Sequence, residues 1–341
     1  MIMNPSKYLF IMTLISGTFI TISATSWLGI WLGLEINLLS FILLMIHPKN
    51  SMSTEASLKY FLIQAFASSI LLFSFILTQL TIKMNLLTYQ ETLFILLNSS
   101  VLLKMGSAPF HFWLPGTMEG LSWLNCLILT TWQKIAPLMI ISYLIEFNLF
   151  MITIIILSII TGSLGGLNQT SIRKMMAYSS INHAGWMLSG MLSGENLWLI
   201  YFSIYFLLNM SVMFIFHIFQ ISYISQNYLI LNSKPSLKFY LYSLLLSLGG
   251  LPPFLGFMPK WLIIENLTNL NQLFLTTFMI IMTLITLFYY IRLTFSAFLL
   301  NPLDLKWNLM TNYNSSSLVT TASMTINSFI GLIIFATLLT F

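Results

Sequence analysis

Long apolar stretches follow one another along nearly the whole chain, and only short polar segments separate them. A helix needs about 20 mainly apolar residues to cross the ~30 Å hydrocarbon core of a bilayer. The pattern therefore predicts an all-α polytopic membrane protein, in which residues 1–341 form one membrane domain. About eleven transmembrane helices are expected, at about 8–25, 27–46, 58–80, 92–114, 123–144, 147–167, 174–192, 198–220, 239–264, 273–299 and 318–340.

The composition agrees with this interpretation and excludes several kinds of protein. Of the 341 residues, 58% are hydrophobic and 6% are charged, whereas about a quarter of the residues are charged in a typical soluble domain. The single cysteine, Cys126, excludes a disulfide framework and a thiolate metal site. The opening segment MIMNPSKYLFIMTL lacks the features of a cleaved signal or transit peptide, so the first span is expected to stay in the mature chain.

The basic residues of the predicted loops gather on one side of the membrane. Positively charged loops are retained on the inner side of an energised membrane, so the N-terminus is expected on the matrix or cytoplasmic side and the C-terminus outside. The pI near 9.2 therefore reflects topology, and no nucleic acid partner is expected. The N-terminal side has Lys7, Lys49, Lys59, Arg173, Lys174, Lys234, Lys238 and Lys306, with Arg292 close to a helix end, and the other side has Lys83.

A motif of glycine, proline and phenylalanine occurs twice in the same frame. The segments GSAPFHFWLP (106–115) and GGLPPFLGFMP (249–259) both contain G-x-x-P-F-x-x-x-x-P, 144 positions apart. With eleven spans, the two copies cross the membrane in opposite directions, which predicts two inverted repeats. The repeats are expected at 8–145 (spans 1–5) and 147–300 (spans 6–10), with an extra C-terminal span at 318–340. Chance is the alternative, since glycine and proline are common in membrane helices.

Both copies of the motif are predicted to break their helices inside the membrane. Proline removes a backbone hydrogen bond, and glycine lowers the resistance of a helix to unwinding. Backbone groups freed in this way cannot face lipid, so each break is expected to admit internal water. The breaks are expected at Gly106 and Pro109 in span 4, and at Gly250, Pro252 and Pro253 in span 9.

Four charged residues fall deep inside predicted spans, namely Glu35, Lys104, Lys134 and Lys260. Each costs at least about 2.5–3.5 kcal/mol on insertion scales, and such residues usually mark ion or proton pathways. A desolvated lysine can release its proton near neutral pH, whereas an arginine cannot. The four residues therefore predict a proton relay. Three structural alternatives remain open: a static ion pair for Glu35, a packing role for Lys134, and snorkelling of Lys260 to the interface.

Two histidines are further candidates for the relay, because imidazole titrates near neutral pH. His183 lies in SSINHAGWM and His111 lies inside the first copy of the motif. Ordinary hydrogen-bonded histidines would explain both equally well. The sequence has no Gly-rich dinucleotide fingerprint, cysteine cluster or metal-ligand spacing, so neither a cofactor nor a metal is expected in this chain.

Several long segments resemble the subunit 2 family of mitochondrial NADH dehydrogenase, and the likeness covers most of the chain. It fades at 221–238 and after about residue 300, and the length and span count are similar to the animal form of the family. This family is one of the antiporter-like groups in the membrane arm of respiratory complex I. The resemblance rests on LEINLLSF (34–41), STEASLKYFL (53–62), LLKMGSAPFHFWLP (102–115), TWQKIAPL (131–138), GGLNQTSIRKMMAYSSINHAGWM (165–187) and LSLGGLPPFLGFMPKW (246–261).

The resemblance implies a subunit that translocates protons in the mitochondrial inner membrane. Redox chemistry in other subunits, which hold NADH, FMN, iron–sulfur clusters and ubiquinone, would drive it, and this chain would hold no cofactor. By the resemblance, Glu35 pairs with Lys104, and the charge state of this pair controls Lys134 and Lys260. The implied partners are neighbours of the subunit 4 and subunit 4L types, supernumerary subunits, and lipids such as cardiolipin.

Two other kinds of protein are compatible with parts of the pattern. A free-standing cation/proton antiporter would share the inverted repeats and the buried lysines. A membrane-embedded transferase would need a catalytic cluster at the interface, but the acidic residues of the loops are isolated from one another, at Glu91, Glu119, Glu146, Glu195 and Glu265.

Overall fold

The computed structural model describes residues 5–47, 50–84, 90–194, 196–226, 235–299, 322–323 and 325–326. In this part of the chain the regular elements are helices, and β-type pairing is limited to an isolated bridge between Ser171 and Tyr223. The all-α prediction is confirmed. The helices are α1 (Pro5–Ser23), α2 (Trp27–Met45), α3 (Ser51–Lys83), α4 (Gln90–Met105), α5 (Trp113–Gly120), α6 (Trp123–Thr130), α7 (Trp132–Leu144), α8 (Leu149–Leu167), α9 (Ile172–Ser193), α10 (Leu197–Phe219), α11 (Pro235–Gly249), α12 (Phe257–Asn269) and α13 (Leu273–Leu299).

Seven segments of the described chain are long and apolar enough to cross a membrane, as expected for a multi-pass membrane protein. They correspond to predicted spans 1, 2, 3, 5, 6, 8 and 10. Predicted spans 4 and 9 each divide into two helices, α4 with α5 and α11 with α12, and predicted span 7 is the more polar helix α9. The predicted span 318–340 lies almost entirely outside the described residues, as do Lys49, Lys234, Lys306 and Glu195.

The structure adds a break that the apolar pattern does not predict. The span expected at 123–144 divides at Thr131, whose backbone departs from regular helix (φ −115°, ψ −71°). The Thr131 hydroxyl donates a hydrogen bond to the Leu127 carbonyl at 2.6 Å. Pro137 follows inside α7 and has no N–H to offer to the carbonyl of Gln133. The helix that carries Lys134 is therefore interrupted three residues before that lysine.

The chain divides into two compact units, Met1–Ile154 and Ile155–Phe341. The division falls inside α8, whereas the sequence places the boundary between the two repeats at 145–147. The inverted relation of the two repeats stays a prediction.

In the first unit, α1 and α2 cross closely through small residues. A Cβ atom on Gly33 would lie 2.8 Å from the Gly17 carbonyl oxygen, and one on Gly17 would lie 3.0 Å from the Asn37 backbone nitrogen. Small residues at a crossing let membrane helices approach closely enough for van der Waals packing. Helix α3 then lies against α2, α4 and α5, which encloses a core that includes Phe41 and Met45.

In the second unit, α9 is buried along nearly its whole length, and it packs against α10 and α12. It is polar for a membrane helix, with serine, asparagine and histidine at buried positions. Several of its hydroxyls donate to carbonyls of the preceding turn, such as Ser179 to Met176 (2.8 Å) and Ser189 to Trp186 (2.8 Å). These bonds satisfy the hydroxyls within the helix itself, so α9 can be buried although it is not strongly apolar.

Candidate functional site

The first helix break is set by a glycine in a left-handed conformation. Helix α4 ends at Met105, and Gly106 follows with φ +75°, which glycine adopts without steric cost. The Ser107 N–H reaches back to the Leu102 carbonyl at 3.2 Å, and the Gly106 N–H reaches the Leu103 carbonyl at 3.2 Å. This pair of bonds is the Schellman arrangement that ends helices. Pro109, three residues later, keeps the chain from continuing as a helix.

The second break has the same backbone hydrogen bonds. Gly250 has φ +87°, the Leu251 N–H reaches the Leu246 carbonyl at 3.4 Å, and the Gly250 N–H reaches the Ser247 carbonyl at 3.1 Å. In each break a turn follows, closed by an N–H of the motif phenylalanine, which is Phe254 here (3.0 Å). The predicted breaks in spans 4 and 9 are therefore present, with glycine as the residue that ends each helix.

Neutral side chains satisfy backbone carbonyls at the first break. The Trp113 Nε1–H donates to the Leu103 carbonyl at 3.2 Å, and the Gln64 side-chain amide donates to the Lys104 carbonyl at 3.1 Å. Gln64 lies on α3, so a side chain of α3 stabilises the C-terminal end of α4 at the break.

At the second break, a lysine side chain donates the hydrogen bond to a backbone carbonyl. The Lys260 Nζ donates to the Gly249 carbonyl at 2.8 Å, and the side chain is 5% exposed. Lys260 lies on α12, after the break, and its amino group reaches back to the last residue of α11. The same Nζ lies 5.9 Å from the centre of the Trp186 ring, which belongs to α9. The amino group therefore points into the break and is not extended towards a membrane interface.

Lys104 and Lys134 line one small cavity in the first unit. The cavity has a volume of about 20 Å³, which is enough for about one water molecule. Polar groups of Tyr60, Gln64 and Gln133 also line it. The two lysines are 7% and 2% exposed, so both are held away from the surroundings and share a space that a water molecule can occupy.

Glu35 acts electrostatically on Lys104 but does not touch it. The side chain of Glu35 is partly exposed on α2, and no ion pair within 4.0 Å joins it to Lys104. An ion pair within this distance joins Glu55 and Lys59, which are exposed and 2.6 Å apart. The Glu35 carboxylate is therefore close enough to influence the Lys104 amino group, but it lies more than 4.0 Å from it.

A hydrogen-bonded chain of uncharged residues lies beside the cavity that Lys134 lines, and the sequence analysis does not predict it. The Gln133 side-chain amide donates to Asn37 Oδ1 at 2.9 Å, and the Tyr60 hydroxyl donates to Gln133 Oε1 at 3.4 Å. These bonds join α7 to α2 and α3 next to the cavity. The weak signal in the sequence is that Gln133 is polar and adjoins a buried lysine.

His183 is buried in the second unit, where its Nδ1 lies 2.8 Å from the Tyr201 hydroxyl. The Tyr205 ring lies 4.9 Å from the imidazole, measured between ring centres, and Asn209 donates to the Tyr205 hydroxyl at 2.9 Å. A cavity of about 10 Å³ adjoins His183, Tyr201 and Tyr205. Tyr201, Tyr205 and Asn209 are a second polar group that the sequence analysis does not single out.

His111 lies apart from the lysine cavity. Its ring stacks on Phe112 with 4.3 Å between ring centres, and its Nδ1 has no hydrogen-bond partner among the described residues. In the first unit, Lys104 and Lys134 line one cavity, and Glu35 acts electrostatically on Lys104. In the second unit, His183 and Lys260 lie on helices α9 and α12, which pack against each other. Within the described ranges, no three His, Cys, Asp or Glu side chains are grouped as metal ligands would be.

Comparisons with known proteins show the family to which the chain belongs. Residues 24–286 match the family described as NADH:quinone oxidoreductase/Mrp antiporter, TM. NADH-ubiquinone oxidoreductase chain 2 of Anopheles gambiae is 56% identical over 311 residues, which cover 91% of each chain. The protein of the same name from Aedes aegypti is 53% identical over 330 residues, which cover 96% of each chain.

Solved structures show the same fold at low sequence identity. A chain of respiratory complex I from Thermus thermophilus with bound aureothin matches with a TM-score of 0.82 and 22% identity, over 97% of this chain and 78% of that one. A chain of the archaeal membrane-bound sulfane sulfur reductase matches with a TM-score of 0.80 and 16% identity, over 96% and 72% of the two chains. At such identities these likenesses establish the fold alone.

The fold and the sequence match define an antiporter-like membrane subunit of the NADH:quinone oxidoreductase/Mrp antiporter family, and within that family the chain belongs to the NADH-ubiquinone oxidoreductase chain 2 proteins. It is a core membrane subunit of the proton-translocating NADH:ubiquinone reductase, respiratory complex I, and not a free-standing antiporter. The chain is therefore one subunit of a multi-subunit membrane enzyme.

Proposed function

We propose that this chain carries protons along a relay inside the membrane, driven by redox chemistry elsewhere in the complex. The single observation that supports this most strongly is the cavity that Lys104 and Lys134 share, because two buried amino groups and a water-sized space are what a proton step requires. Water in that space would connect the two groups by hydrogen bonds. The proposed members of the relay are Glu35, Lys104, Lys134, Lys260, His183 and His111.

The choice of lysine supports proton transfer over fixed charge. The cations deep in predicted spans are all lysines, and a lysine can exist with or without its proton, whereas an arginine keeps its charge. Lys260 reaches a backbone carbonyl through an N–H donor, and a neutral amine retains such donors. The contact therefore tolerates both protonation states of Lys260.

The gap between Glu35 and Lys104 provides the proposed switch. For opposite charges about 6 Å apart in an effective dielectric of about 20, Coulomb's law gives about 3 kcal/mol. This corresponds to roughly a hundredfold change in the affinity of a lysine for its proton. A movement that narrows or widens the gap would change how firmly Lys104 holds its proton. Such a movement would come from a neighbouring subunit during turnover, and the relay would then pass the proton on.

The setting of the relay is also part of the proposal. The redox groups would be NADH, FMN, iron–sulfur clusters and ubiquinone, all held by other subunits, with no cofactor in this chain. The neighbours would be of the subunit 4 and subunit 4L types, together with supernumerary subunits and lipids such as cardiolipin. In the mitochondrial inner membrane the N-terminus would face the matrix and the C-terminus the intermembrane space, which agrees with the distribution of basic residues.

Substitution of Lys134 tests the proposed function. Lys134→Met removes the proton carrier and keeps a long flexible side chain, so the complex should assemble while NADH:ubiquinone reductase activity and proton pumping fall together by about tenfold or more. Lys134→Arg should fail in the same way, because a guanidinium does not release its proton. Lys83→Met, at an exposed lysine of α3, is the matched control and should pump normally.

The Lys134→Arg variant distinguishes a proton carrier from a fixed positive charge. Assembled complex with Lys134→Arg that pumps at the wild-type rate would mean that this position supplies fixed positive charge, and the relay through Lys134 would be wrong.

A further inference from the structure

Helix α10 carries a polar stripe in an otherwise apolar membrane span. Tyr201, Tyr205 and Asn209 are spaced four residues apart, so they lie on one face of the helix. All three are buried, with 2%, 3% and 1% of their surfaces exposed. Buried polar groups cost free energy unless they are hydrogen-bonded, so this stripe has to meet polar partners, and α9 packs on the same helix.

The two tyrosines of the stripe make different contacts with the same histidine. The Tyr201 hydroxyl lies 2.8 Å from His183 Nδ1, which is hydrogen-bonding distance. The Tyr205 ring lies closer to the imidazole, with 4.9 Å between ring centres against 5.9 Å for Tyr201, but its hydroxyl accepts a hydrogen bond from Asn209. Tyr205 therefore packs on the histidine, and Tyr201 bonds to one of its nitrogens.

A tyrosine hydroxyl can serve both protonation states of a histidine. It donates to Nδ1 when the imidazole is neutral with its proton on Nε2, and it accepts from the Nδ1–H when the ring is an imidazolium. In both states Nδ1 is occupied and the ring keeps one orientation. Proton exchange at the ring would then take place through Nε2.

We propose that Tyr201 is the positioning residue of His183, holding Nδ1 in both protonation states and reserving Nε2 for proton exchange along the relay. The inference rests on the proposed role of His183 in proton transfer, and it adds a residue that sets which nitrogen of the histidine is used. A hydrogen bond to one ring nitrogen commonly fixes the tautomer and orientation of a functional histidine.

Other titratable groups lie near this pair. Tyr205 of α10 and Tyr290 of α13 both act electrostatically on Tyr201. Lys260 of α12 lies 5.9 Å above Trp186, whose ring is parallel to that of Tyr201 with 6.4 Å between their centres. The bond from an imidazolium is charge-assisted and stronger than that of the neutral ring, so its loss disfavours the charged state more.

The test compares Tyr201→Phe with Tyr205→Phe in the assembled complex. Tyr201→Phe should lower pumping about tenfold at neutral pH, as expected for one lost hydrogen bond, and should move the pH of half-maximal pumping lower by about one unit. Tyr205→Phe removes the same group from the same helix at the same burial, and should leave that pH unchanged. Equal effects of the two variants on rate and pH profile would overturn the inference, since both would then act through packing.

A third variant separates this inference from the proposed function. If His183→Gln abolishes pumping while Tyr201→Phe behaves as wild type, the inference is wrong and the relay through His183 stands. If His183→Gln pumps normally, the role of His183 in the relay is wrong and the inference falls with it. In the double variant, Tyr201→Phe should add nothing to His183→Gln, because the hydroxyl acts through the histidine. If Tyr201→Phe fails to assemble, a high-resolution map of the native complex decides, and a Tyr201 hydroxyl bonded elsewhere than to His183 contradicts the inference.

Discussion

The two helix breaks have the same backbone and different chemistry. Gly106 and Gly250 end their helices with the same pair of hydrogen bonds, 144 residues apart. The lysines are placed differently: Lys104 comes two residues before its glycine, and Lys260 comes ten residues after its own. The repeated motif therefore specifies where the chain unwinds, and residues outside the motif determine which groups occupy the opening.

The difference extends to how the carbonyls near each break are satisfied. At the first break tryptophan and glutamine donors reach the carbonyls of Leu103 and Lys104, which leaves the Lys104 amino group to line the water-sized cavity. At the second break the Lys260 amino group is itself the donor to Gly249. One lysine is separate from the backbone of its break and the other is part of it, so the two should respond differently to the same substitution.

The largest expected effect is at Gly256, which directly precedes α12 in the second break and has no room for a side chain. A Cβ atom there would overlap the Ser247 carbonyl. We expect Gly256→Ala to cost more than about 3 kcal/mol and to leave little assembled complex on blue-native gels. The control is Gly116→Ala on α5, where a Cβ would have no atom within 4 Å and assembly should be normal. Wild-type amounts of the Gly256→Ala complex would show that α11 and α12 do not meet this closely.

The next effect separates the two lysines. Lys260→Met should leave the Gly249 carbonyl without its donor, at a cost of about 1–3 kcal/mol, so both the amount of complex and the pumping per complex should fall. Lys104→Met removes no backbone donor, so its complex should assemble fully and only pumping should fall, by about tenfold or more. Measuring complex amount and pumping rate in the same membranes distinguishes the two. Equal assembly of both variants would contradict a backbone role for Lys260.

The smallest expected effect concerns the gap beside Lys104. Glu35→Gln keeps size and hydrogen-bonding ability and removes the charge that acts on Lys104. Pumping should fall severalfold while assembly stays intact, because no ion pair within 4.0 Å is broken. Glu55→Gln is the control, since Glu55 forms an exposed pair with Lys59, and such pairs contribute about 0–1 kcal/mol. A wild-type ratio of protons pumped to electrons transferred in assembled Glu35→Gln complex would argue against the switch.

The sequence predicts the parts of this molecule that rest on strong local signals. Apolar runs place the helices, and the glycine and proline motif places the breaks in spans 4 and 9, because both signals act on the backbone directly. The break at Thr131 carries no glycine, and its proline lies six residues later, so the pattern alone does not reveal it.

The neighbours of the charged residues are harder to predict than the charges themselves. A lysine in an apolar run is conspicuous, whereas Gln133 and Tyr201 look like ordinary polar residues until packing brings Gln133 to Asn37 and Tyr201 to His183. The gap between Glu35 and Lys104 depends on how α2 and α4 are placed in space, which no spacing along the chain encodes. Their role in a relay stays a prediction that the variants above address.

The polarity of α9 has a consequence for how the protein is made. A segment with this many serine, asparagine and histidine residues gains little free energy by entering lipid alone, even though hydroxyls such as those of Ser179 and Ser189 are satisfied by their own helix. Helix α8, which is synthesised before it, packs closely on α9, since a Cβ atom on Gly162 would lie 2.6 Å from the Asn182 backbone nitrogen. Its other partners α10 and α12 are synthesised after it. We therefore expect α9 to depend on α8 during biogenesis until those later helices arrive, and truncation of the chain after α9 would leave the faces that contact α10 and α12 uncovered.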